Sequence, residues 1–373
     1  MFEFSIDKYC SSSIYLYHII SNWNYNLIVS GIKFRPYRIR FKNVFNTAIN
    51  KYEFREGIII EIQSDNISGF GETAPLPNFS NENLTDSRHC LEGFHLALEG
   101  INEEFSLEDL LLLANAQSFN NPSALYGLET AIYDLYSKKN KIPFWKIFRE
   151  SVPQQVLVNG LENDIDKDIK FNVYKIKLLN TNIFDLKEKI NKIQDKIGFD
   201  CKIRIDANGS LNLVRAIRIC KELEEYNIDY IEQPLPPKEL EDMAELRLHT
   251  DIPIAVDESL INLESAKKII DYQSADIFVI KPMLVGSYES CLEIIKIGNE
   301  NQISTVITTT LGTEIERHSC INLSFIGNLK LPCGLATANL LENNIIKTPI
   351  TKSIISKPIE SGLGVVPTLI PYL

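Results

Sequence analysis

The strongest determinant of the fold is a repeat of short apolar runs and amphipathic stretches between residues 151 and 344. The strand-like runs are QQVLVNG, VYKIKLL, CKIRIDA, IDYIEQP, IPIAVDE, ADIFVIKP, STVITTT and CGLATAN. Strands that alternate with helices are typical of parallel βα units, and eight such units predict a (β/α)8-type barrel. The alternative is an open doubly wound sheet, but no glycine-rich nucleotide-binding motif follows any of these strands.

Residues 31–150 have a different pattern, which predicts a smaller α+β domain. Apolar and polar side chains alternate over residues 32–63, as in a half-exposed antiparallel sheet, with residues 45–56 as a connecting loop. Residues 84–150 then carry apolar positions three and four apart, which is typical of helices. Residues 1–30 form an N-terminal extension with one lysine and no arginine, so it fits neither a signal peptide nor a transit peptide.

Charge and cysteine content exclude several classes of protein. The net charge is −11, which disfavours binding to nucleic acid or to an anionic membrane surface. No apolar run reaches the ~18–20 residues of a membrane-spanning helix. The seven cysteines form no CxxC pair, so we expect free and mostly buried thiols in a reducing, cytoplasmic compartment.

Charged and polar residues stand at the ends of the predicted core strands. They are Lys175 and Lys177, Asp206 with Asn208, Glu232 with Gln233, Asp257 with Glu258, and Lys281. From Lys177 onward the charged positions recur at intervals of 24 to 29 residues, which is one βα unit each time. Because the carboxyl ends of barrel strands meet at one mouth, we expect these side chains to converge there.

Three of these residues, Asp206, Glu232 and Asp257, predict a metal site. Three unpaired carboxylates would repel one another and resist ionisation. A hard dication removes this repulsion, and oxygen ligands favour Mg²⁺, with Mn²⁺ as the second choice. The competing interpretation is that each acid pairs with a lysine or caps the helix that follows.

The lysines predict proton transfer at the same mouth. Lys175 and Lys177 lie on one face of their strand, with Lys177 nearer the mouth, and Lys281 lies across the barrel. A lysine close to other cations has a lowered pKa and can act as a base near neutral pH. Lysines that only neutralise the acids remain the alternative.

The ordered set KIK (175–177), RIDAN (204–208), IEQP (231–234), VDES (256–259) and IKP (280–282) resembles the enolase superfamily, muconate-lactonizing subgroup. The resemblance covers about residues 32–345. It implies a modified TIM barrel, (β/α)7β, over residues 151–344. It also implies an N-terminal α+β capping domain over residues 31–150, completed by about 345–373, and dependence on Mg²⁺.

Within the subgroup, three segments most resemble the o-succinylbenzoate synthase family: GFGETAPLPNFSNEN (69–83), IKPMLVGS (280–287) and VITTTLGTEIE (306–316). That resemblance implies dehydration of 2-succinyl-6-hydroxy-2,4-cyclohexadiene-1-carboxylate to 2-succinylbenzoate, a step of menaquinone or phylloquinone biosynthesis. The segment LATANLLEN (335–343) lacks the acidic D-x-D pair with which dipeptide epimerases usually bind an amine. A substrate with a free α-ammonium group is therefore disfavoured.

The resemblance also implies residue roles. Lys177 would remove the α-proton, Lys281 would stabilise the enediolate from the opposite face, and Lys175 would tune Lys177. Asn208, Glu258 and Arg204 would support the metal ligands. The loops 45–56 and 74–80 would close the site.

For substrate contacts, the resemblance implies Thr309, Thr310, Gly312 and Gly286. Thr309, Thr310 and the backbone after them begin a helix, which would bind the succinyl carboxylate, because helix N-termini attract anions.

Other functions remain open at this point. An N-succinylamino acid racemase or another epimerase would use Lys177 and Lys281 as opposed acid and base, and a muconate cycloisomerase is a third option. A barrel that only binds or scaffolds would be expected to lack a ligand or a lysine, and none is missing. The expected partner is a small-molecule carboxylate, not nucleic acid or membrane, and a homo-oligomer is compatible with the pattern.

Overall fold

The computed structural model describes residues 26–46, 51–77, 79–166, 169–178, 182–342 and 349–365. The N-terminal part contains the strands β1 (Leu27–Ile28), β2 (Gly31–Asn46), β3 (Lys51–Ser64), β4 (Ile67–Thr73) and β5 (Glu104–Phe105). Strands β2, β3 and β4 form one antiparallel sheet in that order. The two long strands continue into the segment 45–56 predicted as a loop, because Phe45 still pairs with Tyr52.

Three helices cover this sheet: α1 (Leu84–Leu98), α2 (Leu107–Gln117) and α3 (Pro122–Lys139). Asn83 and Ser106 begin the first two helices with capping boxes, which satisfy backbone donors that have no partner within the helix. Pro122 occupies the first turn of α3, where its missing N–H costs nothing. These local signals explain why the helices begin where they do.

Helix α3 approaches strand β4 closely because glycines face it. A Cβ atom on Gly71 would lie 1.9 Å from the carbonyl oxygen of Gly127, and one on Gly69 would lie 2.2 Å from that of Ala131. Only a residue without a side chain permits such backbone contact. The same contact buries α3 between the sheet and the barrel.

The second part of the chain forms a barrel of parallel strands. After β6 (Gln155–Leu157) come β7 (Gly160–Leu161), β8 (Val173–Lys177), β9 (Lys202–Asp206), β10 (Ile228–Glu232), β11 (Ile254–Val256), β12 (Ile277–Ile280) and β13 (Ser304–Ile307). Strands β7 to β13 are neighbours in chain order within one parallel sheet. The fold predicted from the sequence, a modified barrel with an α+β cap, is confirmed.

The eighth predicted strand, CGLATAN, is reduced to two isolated bridges. Cys333 pairs with Val158, just before β7, and Gly334 pairs with Thr308, just after β13. These bridges join the two edges of the seven-stranded sheet. The barrel is therefore closed by two residues instead of a full strand.

Helices alternate with the barrel strands: α4 (Ile183–Ile197), α5 (Leu213–Leu223), α6 (Leu240–Arg247), α7 (Leu263–Asp271), α8 (Pro282–Val285), α9 (Tyr288–Glu300) and α10 (Glu314–Ile326). Three of them begin with an asparagine cap, at Asn182, Asn212 and Asn262, whose side chain accepts a backbone N–H of the first turn. Their buried positions recur three and four apart, as predicted for helices that pack on a sheet.

Both ends of the described chain pack onto this framework. Leu27 and Ile28, which we placed in the N-terminal extension, pair with β5, so the cap begins before residue 31. Residues 1–25 of that extension lie outside the described residues. Strand β14 (Ile354–Ser356) pairs with β6, and Gly362 exchanges backbone hydrogen bonds with residues 142 and 144.

The burial and the free state of the cysteines agree with the prediction for the described residues. All six in the described residues are buried and free, while Cys10 lies outside them. Within the part of the chain that the structure describes, no helix combines the length and apolar character needed to cross a bilayer.

Candidate active site

Three carboxylates converge at the carboxyl ends of adjacent barrel strands. Asp206 ends β9, Glu232 ends β10, and Asp257 directly follows β11. The parallel register places Asp206 beside Glu232 on one side and beside Lys177 on the other. All three carboxylates are at most 3% exposed. They therefore form one buried layer at the barrel mouth.

The ammonium groups of Lys175 and Lys281 contact this layer. The Nζ atom of Lys175 lies 2.7 Å from Glu232 Oε1 and 3.0 Å from Asp206 Oδ2, and Lys281 forms an ion pair with Asp257. Burial alone would lower the pKa of Lys175, but the charges of Asp206 and Glu232 raise it well above its usual value. The pKa of Lys281 is also raised, against the effect of burial, by Asp257. Both lysines are held as cations.

The carboxylates still have unused acceptor capacity. Glu232 Oε2 and Asp257 Oδ1 are buried and lack a hydrogen-bond partner. Burial raises the pKa of Glu232, and the neighbouring Asp206 and Asp257 act in the same direction. An unpaired carboxylate oxygen away from water is costly unless a cation or donor meets it. These oxygen atoms fit the chemistry of a hard dication.

The three carboxylates are not arranged around one common ion position, however. No group of three Asp, Glu, His or Cys side chains among the described residues is arranged to hold an ion. The ammonium group of Lys175 lies between Asp206 and Glu232 and supplies the positive charge there. A dication would have to share these two carboxylates with Lys175.

Lys177 differs from the other two lysines. Its Nζ atom lies 3.9 Å from the centre of the Phe45 ring. Burial lowers the pKa of Lys177 to about 8, and the charges of Lys175 and Lys281 add to that effect against the opposing charge of Asp206. A lysine with this pKa exists partly as the neutral amine near physiological pH. Of the three, Lys177 is thus the one suited to accept a proton.

A cavity of about 570 Å³ opens above this layer, between the barrel mouth and the cap. Its wall includes all three lysines, together with Asp206 and Asp257. The cap contributes Phe45 and Phe79, and the Phe79 ring centre lies 4.0 Å from Lys281 Nζ. One aromatic ring therefore covers each of the two lysines proposed to act on the substrate.

The cap loop that carries Phe79 is tied to strand β3. The buried Arg55 guanidinium donates to the carbonyl oxygens of Ala74 and Pro75, and the Tyr52 hydroxyl donates to that of Pro77 at 2.8 Å. The Phe79 backbone N–H closes the turn by donating to Leu76. Segment 74–80 thus lies over the site as predicted, and Arg55 and Tyr52, for which the sequence shows no signal, hold it there.

Asn208 and Glu258 lie beside the carboxylate layer. Asn208 donates from its backbone N–H to Asp206 Oδ1 at 3.1 Å and from its amide group to Glu258 Oε1 at 3.0 Å. These bonds link the ends of β9 and β11. The structure therefore brings Asn208 next to a predicted metal ligand and Glu258 next to Asn208.

Arg204 lies elsewhere, which corrects the prediction that it supports the metal ligands. Its guanidinium forms an ion pair with Asp229 at 2.8 Å and donates to Asn159 and to the carbonyl oxygen of Pro332. None of its described hydrogen bonds reaches Asp206, Glu232 or Asp257. Because Arg204 is two residues before Asp206 on β9, it fills the layer of the barrel interior below the site.

Gln233 is a positioning residue to which the sequence analysis assigned no role. Its Oε1 atom accepts the backbone N–H groups of Asp257 and Ser259, both at 3.1 Å, and its amide group donates to Ser259 Oγ and to Leu235. It is fully buried. Gln233 thereby orients the Asp257 backbone from the neighbouring strand. Its position directly after Glu232, at a strand end, is the sequence feature that could have indicated this role.

The predicted anion site after β13 is already filled by the protein. Glu72 of the cap accepts the backbone N–H groups of Thr313 and Glu316, at 2.9 and 3.1 Å. Glu316 in turn accepts the N–H groups of Thr310 and Gly312. Thr309 and Thr310 do line the cavity, but the backbone donors beside them are used by internal carboxylates. This corrects the prediction that the helix start binds the substrate carboxylate.

The two predicted glycine contacts also differ from expectation. Gly312 packs against Glu316 and Glu72, where a Cβ atom would lie 2.4 and 2.6 Å from their carboxylate oxygens. Gly286 has φ +97° and ends α8, with Pro122 of the cap directly against it. Neither glycine is among the residues that line the cavity. Both instead permit close contact between cap and barrel.

We expect Glu72→Ala to lower the free energy of unfolding by roughly 3 kcal/mol, because several buried donors would lose their acceptor. Among them are the backbone groups of Thr313 and Glu316 and the Tyr37 hydroxyl. Urea unfolding followed by tryptophan fluorescence measures this. Glu56→Ala removes an exposed carboxylate of the same sheet and should cost under about 0.5 kcal/mol. Equal losses in the two variants would contradict the prediction.

Comparison with known proteins is consistent with this geometry. Residues 160–368 match the family described as enolase C-terminal domain-like, which is more than half of the chain. The chain belongs to the enolase superfamily. Residues 33–135 of this enolase-superfamily protein also match the MenC N-terminal domain. The two family matches together therefore include most of the cap and most of the barrel.

Relatives within the superfamily differ in activity. The chain is 27% identical to o-succinylbenzoate synthase of Bacillus subtilis, over 88% of this chain and 91% of that protein. It is 25% identical to a hydrophobic dipeptide epimerase of Enterococcus faecalis, over 78% of this chain and 86% of that one. A solved dipeptide epimerase from Enterococcus faecalis, complexed with Mg and the dipeptide L-Leu-L-Tyr, superposes with a TM-score of 0.81. That comparison covers 91% of this chain and 99% of the epimerase at 23% identity. These relatives support an enolase-superfamily enzyme without deciding its reaction.

Proposed function

We propose that the protein is an o-succinylbenzoate synthase, a Mg²⁺-dependent hydro-lyase acting on 2-succinyl-6-hydroxy-2,4-cyclohexadiene-1-carboxylate. The observation that favours this choice over a dipeptide epimerase is the cavity wall at residues 336–340. Thr337 and Asn339 line the cavity there, where dipeptide epimerases usually carry an acidic pair that binds an amine. A neutral wall disfavours a substrate with a free ammonium group and suits one that is purely anionic.

The dication would be held by Asp206, Glu232 and Asp257, two of which have unpaired buried oxygens. When bound, Mg²⁺ would hold the substrate carboxylate and stabilise the negative charge that develops on it. Lys175 keeps the carboxylate layer partly neutralised through its contacts with Asp206 and Glu232.

Lys177 performs the proton transfers. Its neutral amine removes the α-proton, so the C–H bond breaks and an N–H bond forms. The protonated amine then gives this proton to the departing hydroxyl group, and water and the aromatic product result. Lys281, kept cationic beside Asp257, faces the developing charge. Phe45 and Phe79 cover the two lysines and exclude water.

We expect kcat/KM to rise with pH because the base must be neutral. With a Lys177 pKa of about 8, activity should increase about tenfold per pH unit on the acid side and level off near that value. A bound dication would shift the rising part of the pH–rate profile to lower pH, since a nearby positive charge lowers the pKa of Lys177 further. A pH–rate profile between pH 5.5 and 9 measures the effect. A profile that falls over this range would contradict Lys177 as the base.

A second function has a specific observation in its favour. Lys177 ends β8 and Lys281 follows β12, so two lysines reach the cavity from different sides of the barrel. Two opposed lysines suit racemisation of an N-succinylamino acid, and some relatives of similar identity are N-succinylamino acid racemases. Such a substrate also lacks a free α-ammonium group.

The test compares both reactions on the purified protein with Mg²⁺. Loss of the diene absorbance of 2-succinyl-6-hydroxy-2,4-cyclohexadiene-1-carboxylate, prevented by EDTA, would support the synthase. N-succinylamino acids and dipeptides are incubated in parallel in D₂O and examined for α-deuterium incorporation by NMR. Exchange without dehydration would overturn the synthase and support racemisation.

A further inference from the structure

The proposed substrate carries two carboxylates, and only one can lie at the metal ligands. The second, at the end of the succinyl arm, needs its own partner within the cavity. The predicted partner, the helix start after β13, is excluded because Glu72 and Glu316 use its backbone donors. The distal carboxylate is therefore left to another group of the cavity wall, and a cation is the strongest partner for it.

Among the described residues, two further cations line the cavity besides the three lysines at the carboxylate layer, and they are Lys42 and Lys189. The Nζ atom of Lys189 lies 3.0 Å from Glu162 Oε1, so its charge is neutralised at the rim. Lys42 is exposed, and in the described residues its side chain forms no ion pair. Of the cavity-lining cations in the described part of the chain, Lys42 is thus the one available for an anionic ligand.

The backbone around Lys42 is held in place. Its N–H group donates to the carbonyl oxygen of Leu340 at 2.9 Å, and Phe41 bridges to Leu341. The Phe41 and Phe45 rings stack with their centres 5.8 Å apart. This part of β2 therefore spans from the end of the barrel to the ring that covers Lys177.

The position suits the length of a succinyl arm. Lys42 precedes Phe45 by three residues, which places their Cα atoms at most about 10 Å apart. Phe45 lies against Lys177, where the α-carbon of the substrate must be. Lys42 and Phe45 line the same cavity, so the two residues bound the space that a succinyl arm would occupy. Asn43 and Asn339, which also line the cavity, provide neutral donors nearby.

We propose that Lys42 binds the distal carboxylate of the substrate and makes the enzyme selective for succinyl-bearing dicarboxylates. This inference rests on the proposed function for the identity of the substrate, but its chemistry applies to any ligand with a succinyl arm. Lys42 is a specificity-determining residue and takes no part in proton transfer.

The experiment compares Lys42→Gln with Lys42→Arg and with Lys33→Gln, an exposed lysine of the same strand outside the cavity wall. We expect Lys42→Gln to raise KM about tenfold, with kcat changed less than about twofold, because only ground-state binding is lost. Lys42→Arg should retain a KM within about threefold, since its charge is kept. Lys33→Gln should match the wild type, and the Lys42 effect should shrink at 1 M salt.

A binding measurement separates failure of this inference from failure of the proposed function. Isothermal titration with Mg²⁺ compares 2-succinylbenzoate with its distal methyl ester. We expect the wild type to prefer the diacid by about tenfold and Lys42→Gln to lose that preference. If the protein racemises N-succinylamino acids instead, the synthase proposal fails, and the same preference of N-succinyl over N-acetyl substrates tests Lys42. Equal binding of diacid and ester by the wild type would overturn the Lys42 inference whatever the reaction.

Discussion

Lys177→Met is expected to reduce kcat by about 10³-fold or more, because general-base catalysis by a positioned side chain contributes up to about 10⁴-fold. Methionine has a similar length and is apolar, so it should occupy the space under the Phe45 ring without a buried charge. The measurements are dehydration rate and α-deuterium exchange, together with circular dichroism to verify folding. Both rates should fall together, because proton abstraction precedes either outcome.

The control for this variant is Lys202→Met. Lys202 begins β9 at the opposite end of the barrel from the site, where its ammonium contacts Asp229 at 3.2 Å. It should keep activity within about twofold, since surface substitutions change stability by only about 0.5 kcal/mol. A Lys177→Met protein that retains a tenth of the wild-type rate would show that another group, such as Lys281, removes the proton.

Glu232→Gln is expected to abolish the response of the protein to Mg²⁺. Glu232 contributes a buried oxygen without a hydrogen-bond partner, and the substitution removes the negative charge that would attract the ion there. A ligand that binds only the folded state raises its stability by about 2.7 kcal/mol at a concentration one hundred times its Kd. The melting temperature of the wild type should therefore rise with MgCl₂ and return with EDTA, whereas that of Glu232→Gln should stay constant.

Measurements of dehydration activity and a matched control variant complete this test. Glu241→Gln changes the same charge on the exposed side of α6 and should keep the full Mg²⁺ response. Glu232→Gln should lose dehydration activity at any MgCl₂ concentration that saturates the wild type. If the wild type itself shows no Mg²⁺-dependent shift, the proposal that the carboxylate layer holds the ion is wrong.

The convergence of the charged strand ends could be predicted because it depends only on local periodicity. One βα unit separates Lys177 from Asp206 and Asp206 from Glu232, and parallel strands in register place residues so spaced in one layer. The same periodicity predicted the barrel and the amphipathic helices between its strands. Even the loop 74–80 could be assigned to the site from its resemblance to relatives.

Contacts between residues far apart in the chain could not be predicted in this way. Glu72 and Thr313 are separated by 241 positions, and no local pattern shows that the carboxylate of one occupies the backbone donors of the other. The misplacement of Gly286, Gly312 and Arg204 has the same cause. Each residue type was compatible with a site. In the folded chain, however, the neighbours of these residues are other parts of the protein, and the local sequence does not show them.

The different states of the three lysines depend on tertiary structure for a related reason. The sequence shows Lys175, Lys177 and Lys281 at strand ends and thereby determines the barrel, the carboxylate layer and the set of candidate groups. It does not show that Lys175 and Lys281 contact carboxylates while Lys177 lies under an aromatic ring from the cap. A pKa depends on burial and on charges within a few ångströms, and only the folded chain determines those distances.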